Sequence, residues 1–230
     1  KKTKCKVCVT DIKTVKISED KFLTQKFLKE KKLPYLKTFI PKNLNEAIKF
    51  GKKLGLPFYL KSRFGTSARN VYLIKKNYEL KSFFQLVKKP ILQEYAGNFR
   101  SKNFDNEYTC SFFTTLDNRF IGPFIAKRKL LFGTSWITEV KNFPKITPLI
   151  IRIANKLKNY GSMNIQLKVG KKGAIPFEFN ARFSGTTSIR AHFGFNEPEM
   201  YIKSYVLKKK IKQPKIKKGI SLRYVEEIFL

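Results

Sequence analysis

Two stretches of alternating hydrophobic and polar residues, joined by a glycine-containing turn, constrain the fold of this chain most strongly. They lie in MNIQLKVGKKGAIPFEFNAR, residues 163–182. Alternation with a period of two predicts half-buried β-strands. A three-residue loop, Lys171-Lys172-Gly173, is a favoured connection between such strands when its glycine is left-handed. The sequence therefore predicts an antiparallel hairpin with one apolar face and one polar face.

The expected loop also determines which polar side chains lie opposite each other. Counting back from three loop residues sets Gln166 opposite Glu178 and Asn164 opposite Asn180. Opposed side chains have Cβ atoms about 4.5–5.5 Å apart. Gln166, Glu178 and Asn180 could therefore bind one small hard cation such as Mg²⁺ through oxygen atoms. A two-residue loop would shift the register and separate them, and a solvated outer face is the alternative interpretation.

The second strand of the hairpin, within IPFEFNARFSG at residues 175–185, alternates phenylalanine with polar residues. We expect its phenylalanines, Phe177, Phe179 and Phe183, to face the core. Arg182 falls on the face of Glu178 and Asn180, where a guanidinium could contact phosphates. Because Mg²⁺ in proteins is usually bound by substrate phosphates as well as by side chains, this face predicts a nucleotide site.

The rest of the chain mixes helical and strand patterns. Helices are expected from an N-cap at Ser18 or Asp20 to Pro34, and near residues 44–54, 78–88, 146–159 and 197–208. Strands are expected at 56–63, 70–75, 91–97 and 107–131, the last with a turn at Asp117-Asn118. Residues 1–17 are expected to form an irregular or strand-like lead-in. Helices combined with hairpins favour an α+β fold over an alternating βαβ array.

A second segment, LPFYLKSRFGTSARNVYLI at residues 56–74, offers groups for binding phosphates. Lys61 ends one predicted strand, and Gly65-Thr66-Ser67 precede the next. Backbone N–H groups and hydroxyls in such a loop can bind phosphate oxygens. The spacing matches neither a Walker A loop nor a dinucleotide-binding fingerprint, and an ordinary turn is the alternative interpretation.

The formal charge of +33 suggests nucleic acid as a partner. The lysines are spread along the whole chain, however, together with abundant Asn, Ile, Phe and Tyr. This pattern favours compositional drift over a dedicated surface. The one basic cluster, LKKKIKQPKIKKG at 207–219, is interpreted as a solvated connection. A lysine-rich nucleic-acid-binding module remains the alternative function, and we expect nucleic acid not to be a partner.

Cysteine content and hydropathy bear on the compartment. Cys5, Cys8 and Cys110 are an odd number without a second cysteine pair or a histidine cluster. This argues against a zinc site or a disulfide framework and favours a reducing, cytoplasmic location. We expect no membrane span, because no apolar run reaches the roughly 20 residues required, and no signal peptide is visible.

Five segments of the chain occur in the order found in ATP-grasp enzymes, and they are most similar to the ATP-binding domain of the carbamoyl-phosphate-synthetase large chain. The segments are SEDKFLTQKFLKEKKLPYLKT (18–38), LPFYLKSRFGTSARNV (56–71), ILQEYAG…NEYTCSFF (91–113), IAKRK (125–129) and NIQLKV…IPFEFNARFSGTT (164–187). The resemblance implies an ATP-grasp fold, with two α+β lobes and the nucleotide between them. It also implies a division into a lead-in at 1–17 that ends a missing N-terminal domain, a helical segment plus small lobe at 18–95, and a large lobe with the metal site at 96–230.

The resemblance implies roles for residues that bind the nucleotide. Lys21 and Lys61 resemble the two lysines that hold the α and β phosphates. The residues that resemble the loop closing over the triphosphate are Gly65, Thr66 and Ser67. The hinge strand that binds adenine corresponds to Gln93, Glu94, Tyr95 and Ala96, and the ribose-binding acid to Glu107.

The chemistry implied by the family is that of a ligase dependent on ATP and Mg²⁺ or Mn²⁺. It activates a small carboxylate as an acyl phosphate, which an amine or a thiol then attacks. Arg128 and Arg182 resemble the arginines near the transferred phosphoryl group, and Gln166, Glu178 and Asn180 resemble the metal ligands. An inactive ATP-binding protein of the same fold is a further alternative, and the oligomeric state is not indicated.

Three residues outside these motifs have open or ordinary interpretations. His192 is expected to be a helix or packing residue and not a catalyst. Trp136 and Arg190 are candidates for the acceptor side of the site, but ordinary core or surface roles are equally compatible with the sequence.

Overall fold

The computed structural model describes residues 7–65, 70–96, 106–131, 133–224 and 226, which form two antiparallel sheets with helices packed on them. The helices are α1 (Ile12–Glu19), α2 (Lys21–Glu30), α3 (Leu44–Leu54), α4 (Asn77–Phe84), α5 (Thr147–Leu157), α6 (Thr187–His192) and α7 (Glu197–Tyr201), the last followed by a π-helical turn (Ile202–Val206). The strands are β1 (Thr38–Phe39), β2 (Phe58–Ser62), β3 (Val71–Ile74), β4 (Pro90–Glu94), β5 (Glu107–Thr114), β6 (Phe120–Leu131), β7 (Thr134–Val140), β8 (Gly161–Gly170), β9 (Gly173–Asn180) and β10 (Gly219–Leu222). The predicted α+β class is confirmed.

The small sheet has four strands in the order β1-β4-β2-β3, and α3 and α4 cover one of its faces. α3 begins after Asn43, whose side-chain oxygen accepts a hydrogen bond from the Glu46 backbone N–H at 3.0 Å. It ends at Gly55, whose φ of 73° only glycine adopts without strain. The predicted helix at 44–54 is therefore confirmed with both of its boundaries.

The large sheet has six strands in the order β10-β7-β6-β5-β8-β9. One face packs against α2 and α5, where Phe27, Leu28 and Ile150 join the inward side chains of β5 and β8. The opposite face packs against α6 and α7 at one end, and its other end faces the small sheet. This uncovered end carries the polar residues of the predicted site.

The hairpin loop between β8 and β9 has two residues, not the three expected. Gly170 pairs with Gly173, and Lys171 and Lys172 form the turn between them. Gly173 does have the positive φ that was expected, at 87°. By itself, this shorter loop would shift the register of β9 by one residue.

A β-bulge at Phe177 corrects that shift. Leu167 pairs with Pro176, and the next pair along the ladder is Gln166 with Glu178, so Phe177 is an extra residue on β9. A bulge of this kind sets two residues of one strand against one of the other. The predicted pairs are therefore present, though for another reason: Gln166 opposite Glu178, and Asn164 opposite Asn180.

The bulge also changes which phenylalanines face the core. Phe179 is 1% exposed and lies in the core under α2 and α5, and Phe183 packs beside the cluster under α6 and α7. Phe177 lines the cleft between the sheets instead. Its prediction as a core residue was wrong, because the extra residue breaks the strict alternation of the strand.

Some helix boundaries also differ from the sequence interpretation. Residues 12–19 form α1, capped by the side chain of Asp11 on the Thr14 N–H at 2.9 Å, so the irregular or strand-like prediction was wrong there. Asp20 is the N-cap of α2, as expected. α4 ends at Phe84 and not near residue 88, and the helix expected at 197–208 changes to π-helical geometry after Tyr201.

The lysine-rich segment 207–219 runs over the surface and is anchored by its apolar residues. Ile211 is buried and Ile216 packs beside the same cluster, under α6 and α7. The lysines of the segment are exposed. Within the described ranges, no helix combines the length and the apolar character that crossing a membrane requires.

Candidate nucleotide-binding site

A cleft of about 240 Å³ lies between the small and the large sheet, far larger than the ~15 Å³ that one buried water occupies. Residues of β2 and β4 line one wall, and residues of β5, β6, β8 and β9 line the other. The cleft brings together nine of the residues predicted from sequence: Lys21, Lys61, Gly65, Gln93, Ala96, Glu107, Arg128, Gln166 and Glu178.

The other predicted residues do not line the cleft. Asn180 is buried beside Glu178, and the exposed Arg182 donates to the Asn180 side-chain oxygen at 3.2 Å. Glu94 and Tyr95 are not among the lining residues. Glu94 accepts a hydrogen bond from Lys172, and the Tyr95 ring lies 5.5 Å from the ring of Tyr59, which does line the cleft. Thr66 and Ser67 lie outside the described residues.

Two lysines reach the cleft from the start of α2 and from the centre of the small sheet. Lys61 is 6% exposed. Its pKa is lowered to about 7, chiefly by burial and then by the nearby charges of Lys21 and Lys168, which Glu178 partly offsets. Burial also lowers the pKa of Lys21, which Glu178 partly offsets. Both ammonium groups therefore lie where an anionic ligand would stabilise their charged form.

The start of α2 is tied to the beginning of the loop after β2. Asp20 accepts two hydrogen bonds from Arg63 Nε at 2.9 Å and one from Arg63 Nη2 at 2.6 Å. The Lys21 backbone N–H donates to the Arg63 carbonyl at 3.1 Å, and Lys21 Nζ donates to the Gly65 carbonyl at 2.6 Å. These contacts hold Lys21 against the loop residue proposed for phosphate binding.

On the large sheet, Arg128 is held between two acceptors. Its Nη2 donates to Glu107 Oε1 at 2.6 Å and to Gln166 Oε1 at 2.8 Å. Lys168 Nζ lies 3.7 Å from the other Glu107 oxygen. Glu107 is therefore flanked by two cations, and its carboxylate fixes the position of Arg128 in the cleft.

Glu178 lies between the two amides predicted as its partners in a metal site. Its Oε1 accepts hydrogen bonds from Asn180 Nδ2 at 3.0 Å and Gln166 Nε2 at 3.4 Å. The amide oxygens face Arg128 and Arg182. The convergence predicted from the hairpin register is thus present, with the amide nitrogen atoms toward the carboxylate.

The donor set of these three side chains fits Mg²⁺. One carboxylate and two amides supply the hard oxygen ligands that this ion prefers, provided that the amides rotate to present oxygen. In the part of the chain that the structure describes, no group of three or more His, Cys, Asp or Glu could hold a metal ion. A single carboxylate balances only one of the ion's two positive charges, so this set fits a metal that a phosphate chain also holds.

The end of β4 and the two residues after it, residues 93–96 (the hinge segment), contact the β8–β9 hairpin. Gln93 is 1% exposed, and its amide donates to Thr38 Oγ1 at 3.0 Å. Glu94 Oε1 accepts from Lys172 Nζ at 2.7 Å in the hairpin turn. A Cβ atom at Gly170 would lie 2.7 Å from the Ala96 carbonyl oxygen. The close approach requires glycine at position 170.

Gly170→Ala is expected to displace the hinge segment, because backbone atoms cannot yield to a methyl group at that distance. Overpacking of this kind costs about 1–3 kcal/mol, which should appear as a lower melting temperature and a smaller stabilisation by Mg-ATP. Thermal denaturation with and without the nucleotide measures both. Gly185→Ala is the control, because its Cβ would meet nothing within 4 Å. Unchanged stabilisation by Mg-ATP in Gly170→Ala would contradict a role for this contact.

Eight residues that line the cleft were not identified from the sequence as site residues, among them Tyr59, Lys168 and Phe177. The Tyr59 hydroxyl hydrogen-bonds Lys168, so the pair connects the small and the large sheet. Burial raises the Tyr59 pKa, and Lys168 opposes that shift. Each lies two residues from a predicted site residue on the same strand, Tyr59 before Lys61 and Lys168 after Gln166. That spacing was the available signal, whereas Phe177 enters through the bulge.

The sequence was compared with models of protein families. Residues 105–228 match a family described as ATP-grasp in the biosynthetic pathway with Ter operon. The match covers more than half of the chain. The chain belongs to the ATP-grasp family. No curated protein matches its sequence.

Solved structures with the ATP-grasp fold resemble this chain throughout. They include the biotin carboxylase domain of Hydrogenobacter thermophilus 2-oxoglutarate carboxylase, with a TM-score of 0.75, 15% identity and coverage of 94% of this chain and 52% of the other. N5-carboxyaminoimidazole synthase from Aspergillus clavatus, in complex with ADP and 5-aminoimidazole ribonucleotide, has a TM-score of 0.75 and 13% identity. That match covers 93% of this chain and 58% of the other. The Staphylococcus aureus N5-carboxyaminoimidazole synthetase has a TM-score of 0.70 and 15% identity, and the match covers 87% of this chain and 54% of the other. The chain therefore spans little more than half the length of these proteins.

Of the remaining residues considered from sequence, two have ordinary positions in this ATP-grasp chain and the third, Arg190, does not. His192 is exposed at the end of α6, with its ring against Phe193. Trp136 is half-buried on β7, and its carbonyl accepts a backbone hydrogen bond from Arg223. Arg190 is completely buried, so its side chain is not accessible to an acceptor substrate.

Proposed function

We propose that this chain is the nucleotide-binding and phosphoryl-transferring part of a ligase that uses ATP and Mg²⁺ to activate a carboxylate as an acyl phosphate. One observation carries the proposal. The cleft between the two lobes collects four cationic side chains, Lys21, Lys61, Arg128 and Lys168, around the single carboxylate–amide group at Glu178.

The charge of the cleft fits a polyphosphate. The four cations are accompanied in the lining by only two carboxylates, Glu107 and Glu178. Arg128 is largely neutralised by Glu107 at 2.6 Å, whereas Lys21 and Lys61 lose their solvation without an equally close acid. A phosphate chain between these two lysines would supply the missing negative charge.

The metal group lies on the large sheet, across the cleft from Lys61. When bound, Mg²⁺ would be held by Glu178 with the amide oxygens of Gln166 and Asn180, and it would offset charge on the transferred phosphoryl group. Arg128 and Arg182 each contact one of these amides. Both arginines would therefore orient the ligands, and Arg128, which lines the cleft, would also contact the phosphoryl group as it moves.

The proposed reaction has two steps. A carboxylate oxygen attacks the γ-phosphorus of ATP, the bond to the β-phosphate oxygen breaks, and ADP leaves. An amine or a thiol then attacks the carbonyl carbon of the acyl phosphate, and inorganic phosphate leaves with the electrons of the C–O bond. The proton of the nucleophile passes to the departing phosphate or to solvent. Positioned cations lower the barrier to the first step by stabilising developing charge. The acyl phosphate must be kept from water, and a closed cleft provides that protection.

Trapping with hydroxylamine tests this proposal without knowledge of the natural nucleophile. The protein is incubated with Mg-ATP, hydroxylamine and a panel of small carboxylates, and ADP and hydroxamate are measured together. We expect one or more acids to stimulate ADP formation, with one hydroxamate formed for each ADP. ADP formation that is independent of every acid, or that yields no hydroxamate, would contradict acyl-phosphate chemistry.

A further inference from the structure

The largest fully buried side chain of the described residues is a charged one, Arg190. It lies on α6, and its Nη1 contacts both carboxylate oxygens of Glu197 on α7, at 3.2 and 3.1 Å. Both residues have no exposed surface. A buried ion pair pays for desolvation of two charges and is weak evidence for stabilisation. Its presence here calls for another reason.

The other end of the Arg190 guanidinium contacts the large sheet. Nη2 donates to Thr109 Oγ1 at 2.9 Å on β5 and also to Asn164 Oδ1 on β8. Thr109 Oγ1 in turn donates to the same Asn164 oxygen at 2.9 Å. Arg190 therefore joins two neighbouring strands through side chains that are at most 2% exposed.

Glu197 is held on the same two strands. Its Oε1 accepts a hydrogen bond from Ser111 Oγ at 2.5 Å and another from Ser162 Oγ. Arg190 Nε is buried without a hydrogen-bond partner among the described residues. The network thus leaves one donor of Arg190 unsatisfied. Its hydrogen bonds nevertheless fix α6 and α7 to β5 and β8 in one orientation.

The network lies directly beside the proposed metal ligands. Thr109 is the ladder partner of Gln166, and Asn164 is the ladder partner of Asn180. Directly opposed residues share one face of the sheet, with Cβ atoms about 4.5–5.5 Å apart. Asn164 also precedes Gln166 by two residues on the same face of β8. Each of the two amide ligands therefore has a neighbour whose side chain is fixed by Arg190.

We propose that Arg190 is a positioning residue of the metal site: with Glu197, it fixes Asn164 and Thr109 and through them the amide ligands Asn180 and Gln166. The inference rests on the proposed function, since it needs a metal at Glu178. Substitution of a residue that fixes the orientation of a metal ligand typically lowers metal affinity about 10- to 100-fold.

Metal affinity of the Arg190→Met/Glu197→Gln variant tests the proposal. Removing both charges together avoids leaving one of them buried and unpaired. Mn²⁺ binding is measured by electron paramagnetic resonance in the presence of saturating ADP, which does not require turnover. We expect Mn²⁺ affinity to fall about 10-fold or more. Affinity within about twofold of the unchanged protein, well short of that range, would overturn the proposal.

Two further variants separate this effect from general destabilisation. Ile150→Val removes a methyl group from the core on the opposite face of the sheet, and we expect it to leave Mn²⁺ affinity unchanged. An equal loss in Ile150→Val would overturn the proposal. If the double variant does not fold, Thr109→Val removes one Arg190 contact, and an unchanged affinity for Mn²⁺ in that variant would also overturn it.

Glu178→Gln distinguishes failure of this inference from failure of the proposed function. We expect Glu178→Gln to lose Mn²⁺ binding in the same measurement. If it does so while the Arg190→Met/Glu197→Gln variant binds normally, only the positioning role is overturned. If Glu178→Gln binds Mn²⁺ as well as the unchanged protein, the metal site itself is wrong, and both proposals fall.

Discussion

Glu178→Gln should reduce ATP turnover at least about 100-fold while the protein stays folded, the scale of loss seen when one electrostatic group of an active site is removed. The substitution keeps the size of the side chain and one acceptor oxygen but removes the charge between Gln166 and Asn180. The acid-stimulated ADP formation described above measures the effect. Circular dichroism and thermal denaturation establish that the variant is folded.

The matched control for this prediction is Glu199→Gln, which removes an equally charged residue from the surface. Glu199 forms a helical ion pair with Lys203, and both side chains are about half exposed. Such pairs contribute about 0–1 kcal/mol, so turnover should not change. Metal-free ADP binding should persist in Glu178→Gln, since Lys21 and Lys61 remain. Turnover in Glu178→Gln equal to that of the control would show that the metal lies elsewhere.

Lys61→Met should weaken ATP binding by about 1.5–3 kcal/mol, or roughly 10- to 100-fold, the contribution of a hydrogen bond to a charged group. Stability of the free protein should be maintained or increased, because the substitution removes a buried amine whose charge is disfavoured. Isothermal titration calorimetry with Mg-ATP and thermal denaturation without nucleotide measure the two effects. An affinity equal to that of the exposed control Lys81→Met would contradict phosphate binding by Lys61.

The lowered pKa of Lys61, about 7, predicts a pH dependence of ATP binding. Bound phosphates favour the protonated ammonium, so binding takes up a proton once the free protein has lost it. The ATP dissociation constant should therefore rise above pH 7, by at most about tenfold per unit for one linked proton. Lys61→Met should remove this component, while any contribution of Lys21 persists. Titration in two buffers of different ionisation enthalpy counts the proton.

The lowered pKa of Lys61 affects folding stability in the opposite direction: ATP binding weakens as the pH rises, whereas the free energy of unfolding increases. The pKa of Lys61 in the folded chain lies below that of an unfolded lysine, 10.5. The unfolded chain therefore binds more protons between about pH 7 and 10.5. The free energy of unfolding should rise with pH in that window and lose this contribution below pH 7.

The general form of the site could be predicted because strand alternation places side chains on defined faces. Gln166 and Glu178 each occupy the face that the period of two assigned, and both line the cleft. The order of the motifs along the chain, which the resemblance supplied, then indicated which strands lie across from each other. Neither signal required knowledge of loop geometry.

The local geometry of the hairpin could not be predicted in the same way. A three-residue loop and a two-residue loop with a bulge produce the same pairing of Gln166 with Glu178. Pairing patterns therefore cannot distinguish them. The bulge decides the fate of Phe177, which strict alternation assigned to the core and the structure places in the cleft. Pro176, which lacks a backbone donor, precedes the bulge and was the local clue.

The buried network around Arg190 could not be predicted from the sequence either. Arg190 lies on a short helix among polar residues, where a surface position is the ordinary expectation. Its burial depends on Glu197, seven residues further along the chain, and on Asn164, on a strand 26 residues earlier. Only the tertiary arrangement brings these groups together, so no local pattern identifies the pair.

The central claim is that nucleotide and metal bind in the cleft between the two sheets. A crystal structure of the protein with Mg-ADP tests it most directly. We expect the diphosphate against Lys21 and Lys61, the base beside the hinge segment at residues 93–96, and the metal on Glu178. A nucleotide bound outside the cleft, or a metal that does not contact Glu178, would contradict it.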